Sequence, residues 1–323
     1  MDTTATSSGL NWERIKPHLP WLTLLALVLV VGIADANFLR PQNLISMAAD
    51  IVPLFIMALG MTFAIYIGGI DLSVQQLANM VTVIATVFLA QFGIGVALLA
   101  IVAGGLFGVV SGFVTTRLYV PSFVSTLAMG FVALSIAKWL SGQRALHMDA
   151  TLRDQSFGWM YGNTAGVPHE LVIAAILLAL AWFLQTRTTF GRSLKAVGAG
   201  ELAAVASGLN VDQVKIMAFG LSGVFAAIAG LMFSVKLSGG DANLANGFLP
   251  LAIVAVLVGG TPLTGGVGGV INTVIGTLIV LVIRTAMVYL EVDATQQQMV
   301  FGIVLIVAIA LTIDRSKLRG VVK

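Results

Sequence analysis

Gln75, Asn79, Thr82 and Thr86 recur at spacings of four, three and four. That places two amides and two hydroxyls along one face of a helix whose remaining positions are Val, Ile, Leu, Met and Ala. Such a stripe offers donors and acceptors without net charge. It could line a path for a hydroxyl-rich solute, or it could hold helices together by hydrogen bonds. Just before it stands GGIDLS, Gly68 to Ser73. Gly68 and Gly69 break a preceding helix, and Asp71 or Ser73 can cap the next one. Asp71 is the only acidic residue between Asp50 and Asp149. An acid in so apolar a stretch faces protein or water and marks a functional site by default, unless it only caps a helix near an interface.

A second chemical feature is TRTTFGRSLKAVGAGELAAVASGLNVDQVK, Thr186 to Lys215, lying between two long apolar stretches. Gly200 to Gly208 reads as one or two helical turns. Its residues are good helix formers, Glu201 suits the helix dipole in the first turn, and Gly208 stands where a left-handed C-terminal cap belongs. So short a helix is not stable alone in water and must dock on this protein's own surface or in a partner's groove. A third feature, GGTPLTGGVGG at Gly259 to Gly269, is a tight reversal in which Pro262 prevents one continuous helix; it serves as a compact turn or as a hinge. Asn272 follows as a polar group on an otherwise apolar segment. No GxxxxGK[ST] loop is present to hold nucleotide phosphates. His18, His147 and His169 are too scattered for a hydrolytic triad or a metal site. Catalysis, cofactor and metal are therefore not expected of this chain.

The elements that carry these residues are set by composition. Of 323 residues 58% are hydrophobic and 10% charged, and the mean hydropathy is +1.01. This is far from the make-up of soluble domains and predicts an all-α polytopic membrane bundle, since continuous apolar runs exclude a barrel. Ten spans are expected, near 20–39, 48–67, 75–91, 93–116, 121–141, 169–186, 212–235, 247–260, 268–290 and 295–313, each apolar enough for a crossing. The first run is long enough to stay as a span and is not a convincing signal peptide. With both termini cytoplasmic, eleven of the 17 Lys and Arg residues lie inside, among them Arg117, Arg187, Arg192, Lys195 and Lys215, as the positive-inside rule requires. The expected organisation is a tail at 1–19, a membrane domain at 20–313 with a cytoplasmic coupling loop at 187–211, and a tail at 314–323. Basic residues at span ends speak of topology and not of nucleic acid. Ser141 to His169 is the longest polar interval on the other side, where Trp139, Trp159 and Tyr161 read as interfacial anchors. Gly104, Gly108 and Gly112 fall at four-residue spacings that let helices approach closely.

Several stretches occur together in one order. They are GGIDLS, Pro121 to Leu127 with Met129 and Gly130, and Thr189-Phe190-Gly191-Arg192. Glu201 with Ala203, Ala204, Ser207 and Gly208 comes next, then Lys215, Ser222-Gly223, Gly259-Gly260-Thr261 and Gly265-Gly266. In this the chain resembles, over residues 37 to 314, the ribose-type (monosaccharide) permeases of bacterial ABC importers. The resemblance implies an inner-membrane subunit with a type II importer-like fold. Its partners would be separate ABC ATPase subunits, a periplasmic solute-binding protein and a second permease subunit, either a copy or a similar paralogue. It also implies that Glu201 to Gly208 is a coupling helix inserted into the ATPase, with Phe190, Gly191 and Arg192 leading into it. Asp71, Ser73, Gln75, Asn79, Phe123, Thr126 and Asn272 are the candidates for the solute pathway. The chain departs from the family in being more polar at Gln75, Gln76 and Asn79, where small residues are common. It also lacks the acid often found near Gly247 to Leu251. Two other readings stand beside it: a stand-alone secondary transporter or channel, for which paired mid-span charges are missing, and a non-transporting receptor or scaffold.

Overall fold

The computed structural model describes residues 18–312. The expected terminal tails, with Arg315, Lys317, Arg319 and Lys323, fall outside the described residues except at His18 and Leu19. Fourteen α-helices are described, with two short two-stranded sheets. Five apolar helical stretches are long enough to cross a membrane, 74–117 counting as one, and a sixth is made by a bent pair.

The chain enters through α1 (Leu19–Ala34), which starts on Pro20, and a 3-10 turn at Ala36–Leu39. The bent pair follows, α2 (Pro41–Asp50) and α3 (Val52–Tyr66), turning by 52°. Pro53 causes the break, because it has no N–H to donate back to the preceding turn. The single span expected at 48–67 is thus two helices. All 15 residues of α3 are buried. A helix apolar on every side belongs in a bundle centre.

Next come α4 (Val74–Phe92), α5 (Val96–Arg117) and α6 (Ser122–Ser141). A cap follows, comprising β1 (Leu146–His147), α7 (Ala150–Tyr161), β2 (Asn163–Thr164) and β3 (Val167–Pro168). Then α8 (His169–Arg187), α9 (Thr189–Ala199) and α10 (Glu201–Ala206) lead to the 26-residue α11 (Val211–Lys236). The chain ends through β4 (Gly239–Gly240), α12 (Phe248–Val258), α13 (Val270–Tyr289) and α14 (Ala294–Thr312). Of the remaining expected spans, α1, α12 and the Thr295–Ala308 part of α14 are apolar but shorter.

The bundle is organised around α11. A side chain at Gly104, Gly108 or Gly112 would meet the backbone of Gly223, Phe219 or Ile216 respectively, so α5 and α11 run antiparallel at near backbone contact. Gly230 meets Ala78 in the same way, and Ser234 donates to Thr82 O at 3.2 Å, so α4 runs parallel to α11. The apolar stretch 74–117 is therefore a hairpin of two helices. Small residues at these faces let dispersion contacts between backbones replace a hydrophobic drive that lipid does not provide.

At one end of the bundle β1 pairs with β4, Leu146 opposite Gly240 and His147 opposite Gly239, fastening the α7 cap to the end of α11. Arg153 donates to Ser238 and pairs with Asp154 at 2.7 Å. Tyr161 donates to Met232 O at 3.2 Å. Burial pushes its phenol well above the usual range, so it stays a neutral donor. At the other end sit α9, α10 and the reversal 259–269.

Gly108→Leu tests the packing. The new side chain has to displace the Phe219 carbonyl, and overpacking of this kind costs about 1–3 kcal/mol. The expected outcome is a lower thermal midpoint of the purified chain, while Gly105→Ala, which meets only the end of Val224, stays near the parent value.

Candidate functional site

The candidate residues fall into three groups, and the first is the turn 67–73. The Gly68 and Gly69 N–H groups close the end of α3 on Ile65 O and Ala64 O at 2.9 Å each. Gly68 has φ of 75°, a left-handed position suited to glycine. The turn is then paired by α6. Ile70 N–H donates to Ser122 Oγ at 3.1 Å and Leu72 N–H to Thr126 Oγ1 at 3.0 Å, while Thr126 Oγ1 donates to Ser122 O at 2.8 Å. Asp71 is fully buried. Its Oδ1 accepts from Ser73 N at 2.9 Å and Ser73 Oγ at 2.6 Å. Neither Asp71 nor Ser73 caps α4: Ser73 stands at the cap position but makes no capping bond. The carboxylate instead closes its own turn. Asp71 Oδ2 and the Oγ of Ser222 on α11 are buried with no hydrogen-bond partner among the described residues. Phe123, from the same motif as Thr126, lies half-exposed on the outside of α6, apart from the cluster.

The second group is the polar stripe on α4. Gln75 Oε1 accepts from Gly247 N at 2.9 Å and Leu249 N at 3.2 Å, at the cap and in the first turn of α12. Gln75 Nε2 and Asn79 Nδ2 both donate to Asn246 Oδ1, at 3.3 and 3.0 Å. Asn79, wholly buried, accepts from Ala245 N at 2.6 Å. Thr82 Oγ1 donates to Asp241 O at 3.1 Å and accepts from Asp241 N at 3.2 Å. The stripe thus binds the irregular stretch 241–247 residue by residue. Asn246 donates to Asn243 Oδ1 at 3.1 Å and remains exposed. Sequence reading named Gln75 and Asn79 but missed Asp241, Asn243 and Asn246. The signal was GGDANLANG, a polar run between apolar helices too short to read as an element.

The third group is the α9–α10 end. Thr188 Oγ1 accepts from Gly191 N at 3.1 Å and starts α9. Gly191 is pressed against the Leu184 and Gln185 carbonyls, which only a residue without a side chain permits. Phe190 packs on Phe63 of α3 with centroids 6.5 Å apart, and Phe63 in turn meets Phe225 of α11 at 6.1 Å. Gly198 lies against Tyr66 O and Gly266, and Gly266 N donates to Tyr66 O at 2.9 Å. The end of α3, the end of α9 and the reversal 259–269 therefore meet at one point. In α10, Glu201 pairs with Lys215 at 2.6 Å. Ala204 is buried, while Ala203 and Ser207 face out, and Gly208 takes φ of 81° as a left-handed terminus. Two residues that sequence reading passed over, Leu202 and Val205, are 88% and 56% exposed. Asn272 belongs here and not with the stripe: its Nδ2 donates to Gly259 O at 3.0 Å and braces α13 against the end of α12.

This arrangement has a hydrogen-bonding seam and an outward-facing short helix. Residues 43–309 match the family described as branched-chain amino acid transport system / permease component. The chain belongs to that family. It is 32% identical to the ribose import permease protein RbsC of Escherichia coli K12, over 98% of this chain and 99% of the relative. It is 30% identical to the galactofuranose transporter permease protein YtfT of the same strain, over 99% and 96%. To the L-arabinose ABC transporter permease protein AraH of Azospirillum brasilense it is 28% identical, over 99% and 94%. No solved structure matches. The chain is a multi-pass membrane permease.

The seam can be tested by Gln75→Leu, which removes the acceptor of two α12 amides. Unpaired buried donors cost about 1–3 kcal/mol each. Faster amide hydrogen exchange at Gly247 and Leu249 is expected, with no change at the β1–β4 pair.

Proposed function

We propose that this chain is the permease subunit of an ATP-driven ABC importer of the bacterial inner membrane, carrying a monosaccharide or related small polyhydroxy solute. Cargo arrives from a periplasmic solute-binding protein, and ATP is hydrolysed on separate ATPase subunits. The chain crosses the bilayer ten times with both termini in the cytoplasm, in a type II importer-like bundle, and works beside a second copy or similar paralogue. In this reading α9 and α10 lie in the cytoplasm within a coupling loop at 187–211, and the α7 cap lies outside.

The observation that carries the proposal is α10. It is six residues long, too short to persist without a partner, and its two largest apolar side chains, Leu202 and Val205, turn away from the protein. That is the form of a knob for another subunit's groove. Phe190, Gly191, Arg192, Glu201, Ala203, Ala204, Ser207 and Gly208 make up the coupling unit. The pathway is assigned to Gln75, Asn79 and the exposed Asn246, whose amides suit hydroxyl groups. Asp71, Ser73 and Thr126 hold the turn beneath them. Asn272 serves the far end and Phe123 the outer face of α6. Ribose, arabinose and galactofuranose relatives support a cargo rich in hydroxyls.

Uptake into proteoliposomes containing the ATPase and the loaded binding protein is the test. Accumulation is expected only with ATP, and uptake driven by an ion gradient without ATPase would overturn the proposal. Leu202→Glu together with Val205→Glu is expected to abolish ATPase co-purification and to lower uptake at least tenfold, since charge at an interface centre costs several kcal/mol. The midpoint of the permease alone should not move.

A further inference from the structure

A cavity of about 420 Å³ opens where α8, α9 and the start of α13 meet, beside the end of α3. Its level in the fold is fixed by one bond: Val270 N donates to Gln185 Oε1 at 2.9 Å, so the last turn of α8 and the first turn of α13 lie side by side. Both helices are apolar and long enough to span a membrane, so their shared ends mark a boundary between hydrocarbon and water. The two sides of the cavity differ in chemistry. On the span side its wall carries Trp182, 37% exposed, and Ile271, 48% exposed. On the α9 side it carries Arg192 and Lys195, three residues apart and so on one helical face. Among the described residues neither cation has an ion-pair or hydrogen-bond partner, and no lining residue is acidic. Arg187 stacks over Trp182 at 5.3 Å and adds a third cation at the rim.

A ligand for this place has to be anionic at one end, to answer two unpaired cations, and apolar at the other, to cover Trp182 and Ile271. We propose that the cavity holds the phosphodiester headgroup of an anionic glycerophospholipid of the cytoplasmic leaflet, with the acyl chains lying against Trp182 and Ile271. Basic recesses between spans on that face are suited to such headgroups. No residue of α10 lines the cavity, while Gly191 and Arg192 of the segment leading into it do, so the lipid sits behind the proposed coupling helix and against the stretch that carries it. The inference rests on the membrane placement proposed above, but neither cargo nor ATPase enters its measurement. A chain that failed to import sugar would still retain the lipid.

The test is native mass spectrometry of the detergent-solubilised full chain titrated with palmitoyl-oleoyl phosphatidylglycerol or phosphatidylcholine. The parent chain is expected to retain phosphatidylglycerol selectively. Arg192→Gln with Lys195→Gln should weaken that retention about tenfold or more, with an unchanged thermal midpoint in phosphatidylcholine. Arg192→Lys should keep the selectivity, which guards against a loss that only reflects misfolding. Equal retention of phosphatidylglycerol by the parent and the doubly substituted chain would overturn the assignment. So would displacement of the lipid by 10 mM inorganic phosphate, a concentration set about tenfold above millimolar affinity, since the cavity would then be a soluble-anion site.

Discussion

Backbone that leaves the helix inside an apolar bundle has no water to bond to, and the whole arrangement depends on how this chain answers that demand. Among the described residues it happens at 67–73 and at 241–247. The first stretch is paired by hydroxyls of α6, Ser122 and Thr126, and by the Asp71 carboxylate folding back on Ser73. The second is paired by the stripe on α4, with Gln75 holding the start of α12, Asn79 holding Ala245 and Thr82 holding Asp241. Each polar side chain in these segments replaces a partner that a continuous helix would have provided for itself. This is why polar residues cluster at the two breaks.

The same constraint governs what the sequence disclosed. Long apolar runs separated by glycine, proline and charge made the helices legible, and the glycine spacing at 104, 108 and 112 foretold the close approach of α5 to α11 because it depends only on local periodicity. The stripe of Gln75, Asn79, Thr82 and Thr86 was visible as a face, but what it faced was not. Asp241, Asn243 and Asn246 are distant in sequence and belong to no regular element, so periodicity had nothing to detect. Asp71 reads equally as a helix cap, which is local, or as a functional acid, whereas its carboxylate closes its own turn, whose amides are paired from α6. Asn272 was grouped with the pathway by polarity alone and serves the opposite end. The break at Pro53 was missed because Ile51, Val52, Leu54 and Phe55 form one apolar run through it.

At the α9–α10 end three segments share one point of contact, where glycines of α9 and of the reversal 259–269 close on the carbonyl of Tyr66. Gly198 accepts the approach of Tyr66 O, and Gly266 donates to the same oxygen. A displacement of α9 therefore presses on the end of α3, which continues directly into the turn 67–73 and then into α4. On the proposed reading this gives the coupling unit a short mechanical route: from α10 through α9 to the turn that carries Asp71, and from there to the first two turns of the stripe. Rigid helices joined at glycine contacts transmit a shift because neither side has a flexible side chain to absorb it.

On the proposed reading, the chemistry at the far end of that route is one of exchange. Asn246 Oδ1 is shared by Gln75 and Asn79 while the side chain itself is exposed, so a hydroxyl-bearing solute can take over one of two donors without leaving any group unpaired. Replacing one hydrogen bond by another of the same kind changes the free energy little, whereas leaving a buried amide unpaired costs about 1–3 kcal/mol. A seam built from shared amides can therefore pass a polar solute without binding it tightly, which transport requires. The buried Asn79–Ala245 bond is not open to such exchange and holds the stretch 241–247 in register.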